Sequence, residues 1–182
     1  MFPPGHLGVA YCCYSLLVRS SGRTPAAAPV FAVVLGSQFP DLVDKPLAWY
    51  LGVLPTGRTL AHSLVVLVPV CILVYLVASR YDRSAVGVAF AVGAISHSLV
   101  DALPALWGSP ADARFLLWPL LSVPGYDEDV STSVTDRLYT AYAEPELASA
   151  YFLAEFALLA VAIVLWHRDG RPGLEVLGRL GQ

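Results

Sequence analysis

The chain has 182 residues, of which 57% are hydrophobic and 14% are charged, with a formal net charge of −3 and a mean hydropathy of +0.64. Soluble domains average about 25% charged residues, so this composition excludes an ordinary soluble domain and predicts an integral membrane protein. The small net charge gives no support for nucleic-acid binding. The three cysteines lack a C-x-x-C spacing, so neither a disulfide framework nor a thiolate metal site is indicated.

Two short helices are predicted at the start of the chain, over residues 6–18 and 26–39. Prolines precede the first, and Thr24-Pro25 gives the second a cap and a first-turn proline. Pro40-Asp41 is expected to end the second helix. Both are shorter than the roughly 20 residues that cross a bilayer, so we expect them to be tilted, partly buried in protein or re-entrant.

Three longer apolar runs follow. They predict helices over residues 59–79, 85–106 and 147–166. A polar loop punctuated by glycine and proline is expected over residues 107–146. No internal repeat interrupts this order. The sequence therefore predicts an all-α, polytopic membrane bundle of about five helices, forming one membrane-embedded domain over residues 1–182.

Arginines indicate which membrane face each helix end occupies. If every run crosses, one side receives most of the arginines, in short loops and the tail: Arg19, Arg23, Arg80, Arg83, Arg168, Arg171 and Arg179. The positive-inside rule makes that side cytoplasmic. The polar residues inside or beside the apolar runs then all lie on the other, non-cytoplasmic side: His6, Asp41, Asp44, His62, His97 and Asp101.

This set of residues suits a metal site. His97 and Asp101 are four residues apart, so they share one face of a helix. Imidazole nitrogens and carboxylate oxygens together bind borderline divalent cations, with zinc favoured and manganese next. We therefore predict that these residues converge on one metal site, which would also explain polar groups inside a membrane protein.

Each residue also has a simpler interpretation. His6 and His62 lie near helix ends, where a polar residue can simply face the membrane interface. Asp41 follows a proline and can be a turn residue. His97 and Asp101 can form a closed polar pair that joins two helices. Four such coincidences on one side of the membrane are less economical than one shared site.

Three further residues are candidates for catalysis. Glu155 lies inside the last apolar run, where an unpaired carboxylate is costly, so it is either protonated or a partner of the site. Arg58 precedes His62 and can either anchor a phosphate or pair with an acid. Asp44 or Glu155 would serve as general base in a hydrolytic reaction.

Five motifs in order resemble a known family: Gly5-His6, Pro40-Asp41, Arg58 with Ala61-His62-Ser63, Ser96-His97-x-x-x-Asp101, and Leu117-Trp118-Pro119. The pattern is similar to that of the YdjM-like membrane-bound metal-dependent hydrolases, described as LexA-binding, inner-membrane-associated hydrolases. It covers residues 6–119. That family is distantly similar to zinc-dependent phospholipase C and P1 nuclease. The resemblance therefore implies phosphoester hydrolysis, and it implies that the metal ligands are His6, Asp41, His62, His97 and Asp101.

The chain departs from the family pattern at two places. The family's Pro-Asp-x-Asp-His is here Pro40-Asp41-Leu42-Val43-Asp44-Lys45, so the second aspartate is displaced and the histidine is absent. Gly57 stands where the family often has another histidine before the arginine. Fewer nitrogen ligands favour one or two metals over a larger cluster.

Two functions follow from these residues. The first is a membrane-bound hydrolase that uses metal-activated water on a phosphoester, with a lipid as a candidate substrate reaching the site from the bilayer. The second is a non-catalytic membrane protein in which the same residues hold a structural metal or conduct ions or protons. Metal content and turnover would separate the two.

Overall fold

The structure is a computed structural model that describes residues 2–125, 150–174 and 176. Within these residues it contains helices and no strand, as the sequence predicts. The five α-helices are α1 (Pro3–Ser20), α2 (Ala27–Trp49), α3 (Leu64–Ser79), α4 (Ser84–Ala102) and α5 (Ala150–Arg168). Two 3-10 helices, η1 (Leu103–Leu106) and η2 (Pro110–Leu117), follow α4.

The prediction that the first two helices are short is wrong, most clearly for α2. This helix does not end at Phe39 but runs for 23 residues, from Ala27 to Trp49, with Pro40 and Pro46 inside it. A proline removes one backbone hydrogen bond from a helix. Here the extension past Pro40 carries Asp44, whose carboxylate is fully buried and bonded to the loop before α3. Those contacts offset the lost bond.

Helix α3 begins five residues later than the sequence suggests, at Leu64 rather than residue 59. The intervening residues form turns because the Asp44 carboxylate accepts several of their backbone N–H groups. Ser63 then caps the helix, its hydroxyl oxygen accepting from the Val65 N–H at 3.2 Å. The loop that carries His62 is thus fixed at both ends.

Helices α2 and α4 approach closely because glycines face each other across the interface. A Cβ atom added to Gly36 would lie 2.3 Å from the carbonyl oxygen of Phe90, and one added to Gly93 would lie 2.5 Å from that of Val33. Only hydrogen atoms fit in these gaps. The close approach brings Ser37 on α2 next to His97 on α4.

The predicted polar loop over residues 107–146 is partly helical. Residues 110–117 form η2, which begins with a capping box. The Ser109 hydroxyl accepts the Asp112 N–H, and the Asp112 carboxylate accepts the Ser109 N–H. Residues 126–149 lie outside the described part of the chain. Helix α5 begins at Ala150 and ends at Arg168, close to the predicted limits.

Among the described residues, one helical segment, Ser84–Leu106, is long and apolar enough to cross a membrane, and Leu64–Ser79 is a shorter apolar helix. The number of crossings therefore stays a prediction. The interior between the two ends of the bundle is apolar, with fully buried Ala10, Val33, Leu67, Ala89 and Ala94.

One end of the bundle is closed by a polar cluster around Asp169, just after α5. Its carboxylate accepts hydrogen bonds from Tyr11 at 2.8 Å and Ser15 at 2.7 Å, and it pairs with Arg19 at 2.6 Å. These contacts join the ends of α1 and α5. The opposite end of the bundle holds the histidines and aspartates.

Candidate metal centre

All five residues predicted as metal ligands lie together at one end of the bundle. Two groups of three could each hold an ion, with one ligand atom per residue and all ligand atoms within 4.8 Å of one another. They are His6, Asp41 and His97, and His62, His97 and Asp101. The three histidines and Asp101 are buried, and Asp41 is partly buried.

The ligands come from four separate segments. His6 lies in the first turns of α1, and Asp41 lies in the part of α2 beyond Pro40. His62 lies in the loop before α3. His97 and Asp101 are one turn apart on α4, so both side chains face the same way.

Asp44 orients His62. Its Oδ2 atom lies 2.8 Å from His62 Nδ1 and also accepts the backbone N–H groups of Thr59 at 2.8 Å and His62 at 3.2 Å. Its Oδ1 atom accepts the Ala61 N–H at 2.8 Å. An ionised carboxylate only accepts hydrogen bonds, so His62 Nδ1 carries the proton. The Nε2 lone pair of His62 is left facing the cluster.

His97 is oriented in the same way by the main chain. Its Nδ1 lies 2.6 Å from the carbonyl oxygen of Ser37, which can only accept, so this nitrogen also carries its proton. Metal-bound histidines almost always donate their other N–H to a carboxylate or a carbonyl. Both arrangements therefore match those of metal ligands.

The two free nitrogens face each other. His62 Nε2 and His97 Nε2 are 3.1 Å apart. With both Nδ1 atoms protonated and both rings neutral, two lone pairs meet, which is unfavourable unless a proton or a metal cation lies between them. Two nitrogens bound at about 2.0–2.1 Å to a tetrahedral zinc ion would be about 3.3 Å apart. The observed spacing therefore suits a shared ion.

The carboxylates surround these nitrogens. Asp41 Oδ1 lies 3.5 Å from His62 Nε2 and 3.8 Å from His97 Nε2. Asp101 Oδ2 lies 3.7 Å from His62 Nε2, and its Oδ1 lies 3.3 Å from His6 Nε2. The His6 ring stacks on that of His97, with centroids 3.6 Å apart. Nitrogen and oxygen donors thus approach one space from several directions.

The electrostatics of the loop residue His62 favour a positive charge. Burial alone would lower the pKa of His62, but its hydrogen bonds with Asp41 and Asp44 outweigh burial and raise the pKa above its ordinary value. Two carboxylates on opposite sides of the ring cause this shift. The same negative field would stabilise a metal cation.

Two cations pair with the candidate ligands at the edge of the cluster. Lys45 Nζ lies 2.6 Å from Asp41 Oδ2, and Arg58 Nε lies 2.8 Å from Asp101 Oδ2. The side chain of Arg58 is 50% exposed. Both line a cavity of about 400 Å³ that also borders η2 through Asp112 and Phe115. Of the two predicted roles for Arg58, the ion pair with an acid is the one seen.

Glu155 approaches from α5. Its side chain is fully buried, and Oε2 accepts the backbone N–H of Phe2 at 2.9 Å. Oε1 has no hydrogen-bond partner among the described residues. Glu155 also interacts electrostatically with His6 and Asp101. The glutamate is therefore a neighbour of the cluster.

Three contributors were not singled out from the sequence. Ser37 bonds His97 through its carbonyl group, which no side-chain pattern could indicate. Phe115 packs its ring edge-on against His62, at 6.0 Å between centroids. Lys45 could have been noticed, because it lies one helical turn after Asp41.

Comparison with known proteins identifies the family. The family model of the YdjM inner membrane protein matches residues 1–169, a range that includes every residue of the cluster and Glu155. No curated protein and no solved structure matches the chain. The similarity to metal-dependent hydrolases, zinc-dependent phospholipase C and P1 nuclease is not shown by these comparisons. The matched range covers nearly the whole chain, and the chain therefore belongs to the YdjM inner membrane protein family.

Proposed function

We propose that this protein is a multi-pass inner-membrane hydrolase that cleaves a phosphoester with metal-activated water at the non-cytoplasmic face. The observation that carries the proposal is the pair of Nε2 atoms of His62 and His97, 3.1 Å apart, with both Nδ1 atoms already bonded. Such preorganised, buried nitrogens beside two carboxylates are what a catalytic ion requires.

His62 and His97 would hold one ion together with Asp101 or Asp41, and His6 would join it or support a second. The mixture of nitrogen and oxygen donors favours zinc, with manganese next. With an open coordination position, a bound ion would lower the pKa of a water molecule to about 7 and polarise a phosphoryl oxygen.

The remaining residues have distinct roles in this proposal. Asp44 uses both carboxylate oxygens on His62 and the loop, so it positions a ligand rather than moving a proton. Glu155 is better suited to proton transfer, because its Oε1 atom is buried without a hydrogen-bond partner in the described structure. The cavity beside Arg58 gives the substrate an approach to the cluster.

Two alternatives are less well supported. A structural zinc site has four ligands and no open position, whereas here five candidate ligands adjoin a cavity of about 400 Å³. Ion or proton conduction needs polar groups along the bundle. In the described interior, apolar residues such as Leu67 and Phe90 separate this cluster from the one at Asp169.

The orientation in the membrane rests on charge. At the end of the bundle opposite the cluster, the helix ends and their short connections carry Arg19, Arg80, Arg83 and Arg168. The positive-inside rule favours a cytoplasmic location for that end. The metal cluster would then face the non-cytoplasmic side, where a lipid substrate can reach it from the bilayer.

Metal content tests the site first. We expect purified wild-type protein to hold zinc at about one or two ions per chain, with loss of metal in His97→Ala and Asp101→Ala. Absence of metal from the wild type, under zinc-replete conditions, would contradict the proposal. Asp82→Asn, at an exposed turn at the other end of the bundle, is the control.

Turnover then separates a hydrolase from a structural metal site. The metal-loaded protein in detergent should hydrolyse a generic phosphodiester, a phosphomonoester or a phospholipid. Glu155→Gln should retain the metal but lose at least about tenfold in rate, as expected for loss of a general acid–base group. A fully loaded wild type that is inactive on all three substrates would favour the structural role.

A further inference from the structure

Each cation at the edge of the cluster is paired with a carboxylate that is also a candidate metal ligand. Lys45 pairs with Asp41 at 2.6 Å, and Arg58 pairs with Asp101 at 2.8 Å. No other ion pair between a lysine or arginine and a cluster carboxylate is seen in the described residues. The two cations thus offset the negative charge of Asp41 and Asp101.

A divalent ion and these cations compete for the same negative charge. When Asp41 and Asp101 donate to an ion, the attraction that holds Lys45 and Arg58 in place is weakened, and the ion repels both. The Arg58 side chain is 50% exposed and that of Lys45 is 33% exposed, so both have room to turn into the adjoining cavity.

That cavity suits an anion. It has a volume of about 400 Å³ and is lined by both cations, by Thr56 and by the backbone at Gly57. Among the described residues, the one acid that lines the cavity is Asp112, which accepts the Ser109 N–H in the capping box at the start of η2. An arginine and a lysine on one cavity are the groups that bind phosphoryl oxygens.

We propose that Lys45 and Arg58 form an anion-binding site that takes a phosphoryl group once the two cations leave Asp41 and Asp101. The inference rests on the proposed function and deepens it, because it assigns the phosphoryl end of the substrate to this cavity. It also couples the two ligands, since the anion binds strongly only to metal-loaded protein.

Zinc affinity gives the first test, by competition with a chromophoric chelator on full-length protein in detergent. If the cations compete with the ion, Lys45→Met and Arg58→Met should each bind zinc at least about tenfold more tightly than the wild type. Arg19→Gln removes an ion-paired cation at the other end of the bundle and should leave zinc affinity unchanged. Unchanged or weaker binding in both site variants would overturn the inference.

Phosphate binding gives the second test, by calorimetry with inorganic phosphate on protein freed of excess zinc. The zinc-loaded wild type should bind phosphate at least about tenfold more tightly than the metal-free protein. The zinc-loaded double variant of Lys45→Met and Arg58→Met should lose at least about tenfold in affinity. Equal phosphate binding by the double variant would overturn the inference, because the metal alone would then be the anion site.

Two competitors distinguish the source of the phosphoryl group. Phosphatidic acid in mixed micelles should displace phosphate at lower concentration if the ligand is a lipid headgroup, and glycerol phosphate should do so if it is soluble. Failure of both would overturn the inference. Phosphate binding that depends on both cations, without any hydrolysis, would instead contradict only the proposed function.

Discussion

Asp44→Asn should loosen both the fold and the metal centre, because one carboxylate holds four donors. The Oδ2 atom accepts three of them and Oδ1 accepts the Ala61 N–H. The least costly orientation of the asparagine places its NH₂ group opposite the Ala61 N–H. One charge-assisted bond is then lost, a buried donor is unsatisfied and the other three bonds lose their ionic character.

These losses sum to about 2–5 kcal/mol in the free energy of unfolding. For a chain of this size, a melting temperature at least about 4 °C lower should follow in metal-free protein. The weaker bond between the asparagine oxygen and His62 Nδ1 should also cost about 10–100-fold in zinc affinity.

Thermal unfolding with a chelator present measures the first effect, and competition with a chromophoric chelator measures the second. Asp82→Asn makes the same chemical change at an exposed turn and should alter neither. Wild-type zinc affinity in Asp44→Asn would refute the idea that Asp44 positions His62.

Three other changes test separate features. Gly93→Ala should lower the melting temperature strongly, because the new Cβ would lie 2.5 Å from the Val33 carbonyl oxygen, whereas Gly125→Ala meets nothing closer than 3.9 Å. Asp169→Asn should lower stability by about 1–3 kcal/mol without changing zinc affinity, since its partners lie at the other end of the bundle; altered zinc binding would show that the two ends are coupled. Lowering the pH from about 8 to about 6 should weaken zinc binding at least about tenfold, because protons compete for His62, whose pKa is raised; pH-independent affinity would exclude histidine ligands.

The sequence was sufficient to predict which residues gather in the cluster. Periodicity placed His97 and Asp101 on one helix face, and the alternation of helix ends along the chain placed the other ligands at the same end of the bundle. Both arguments use only the spacing of residues and the order of helices along the sequence. The structure brings the same five residues within reach of shared ions.

Finer details depended on tertiary contacts. Pro40 is a local signal for a helix end. Helix α2 nevertheless continues past it, because the Asp44 carboxylate accepts hydrogen bonds from backbone N–H groups in a loop 15 to 18 residues away. Because of the same contacts, residues 59–63 form a turn and do not belong to α3, although the apolar residues that follow them predicted a helix from residue 59. The Ser37 carbonyl that orients His97 becomes available only through the close glycine packing of α2 against α4.

The spread of the ligands along the chain also bears on how the protein is made. The candidate metal ligands extend from His6 in α1 to Asp101 in α4, and the partly buried Asp41 and fully buried His62 come from between them. No partial chain that lacks α4 contains either complete group of three. During synthesis, a metal ion held by this cluster would therefore be captured only after the first four helices have assembled, so metal loading would be a late step of biogenesis and would not initiate folding.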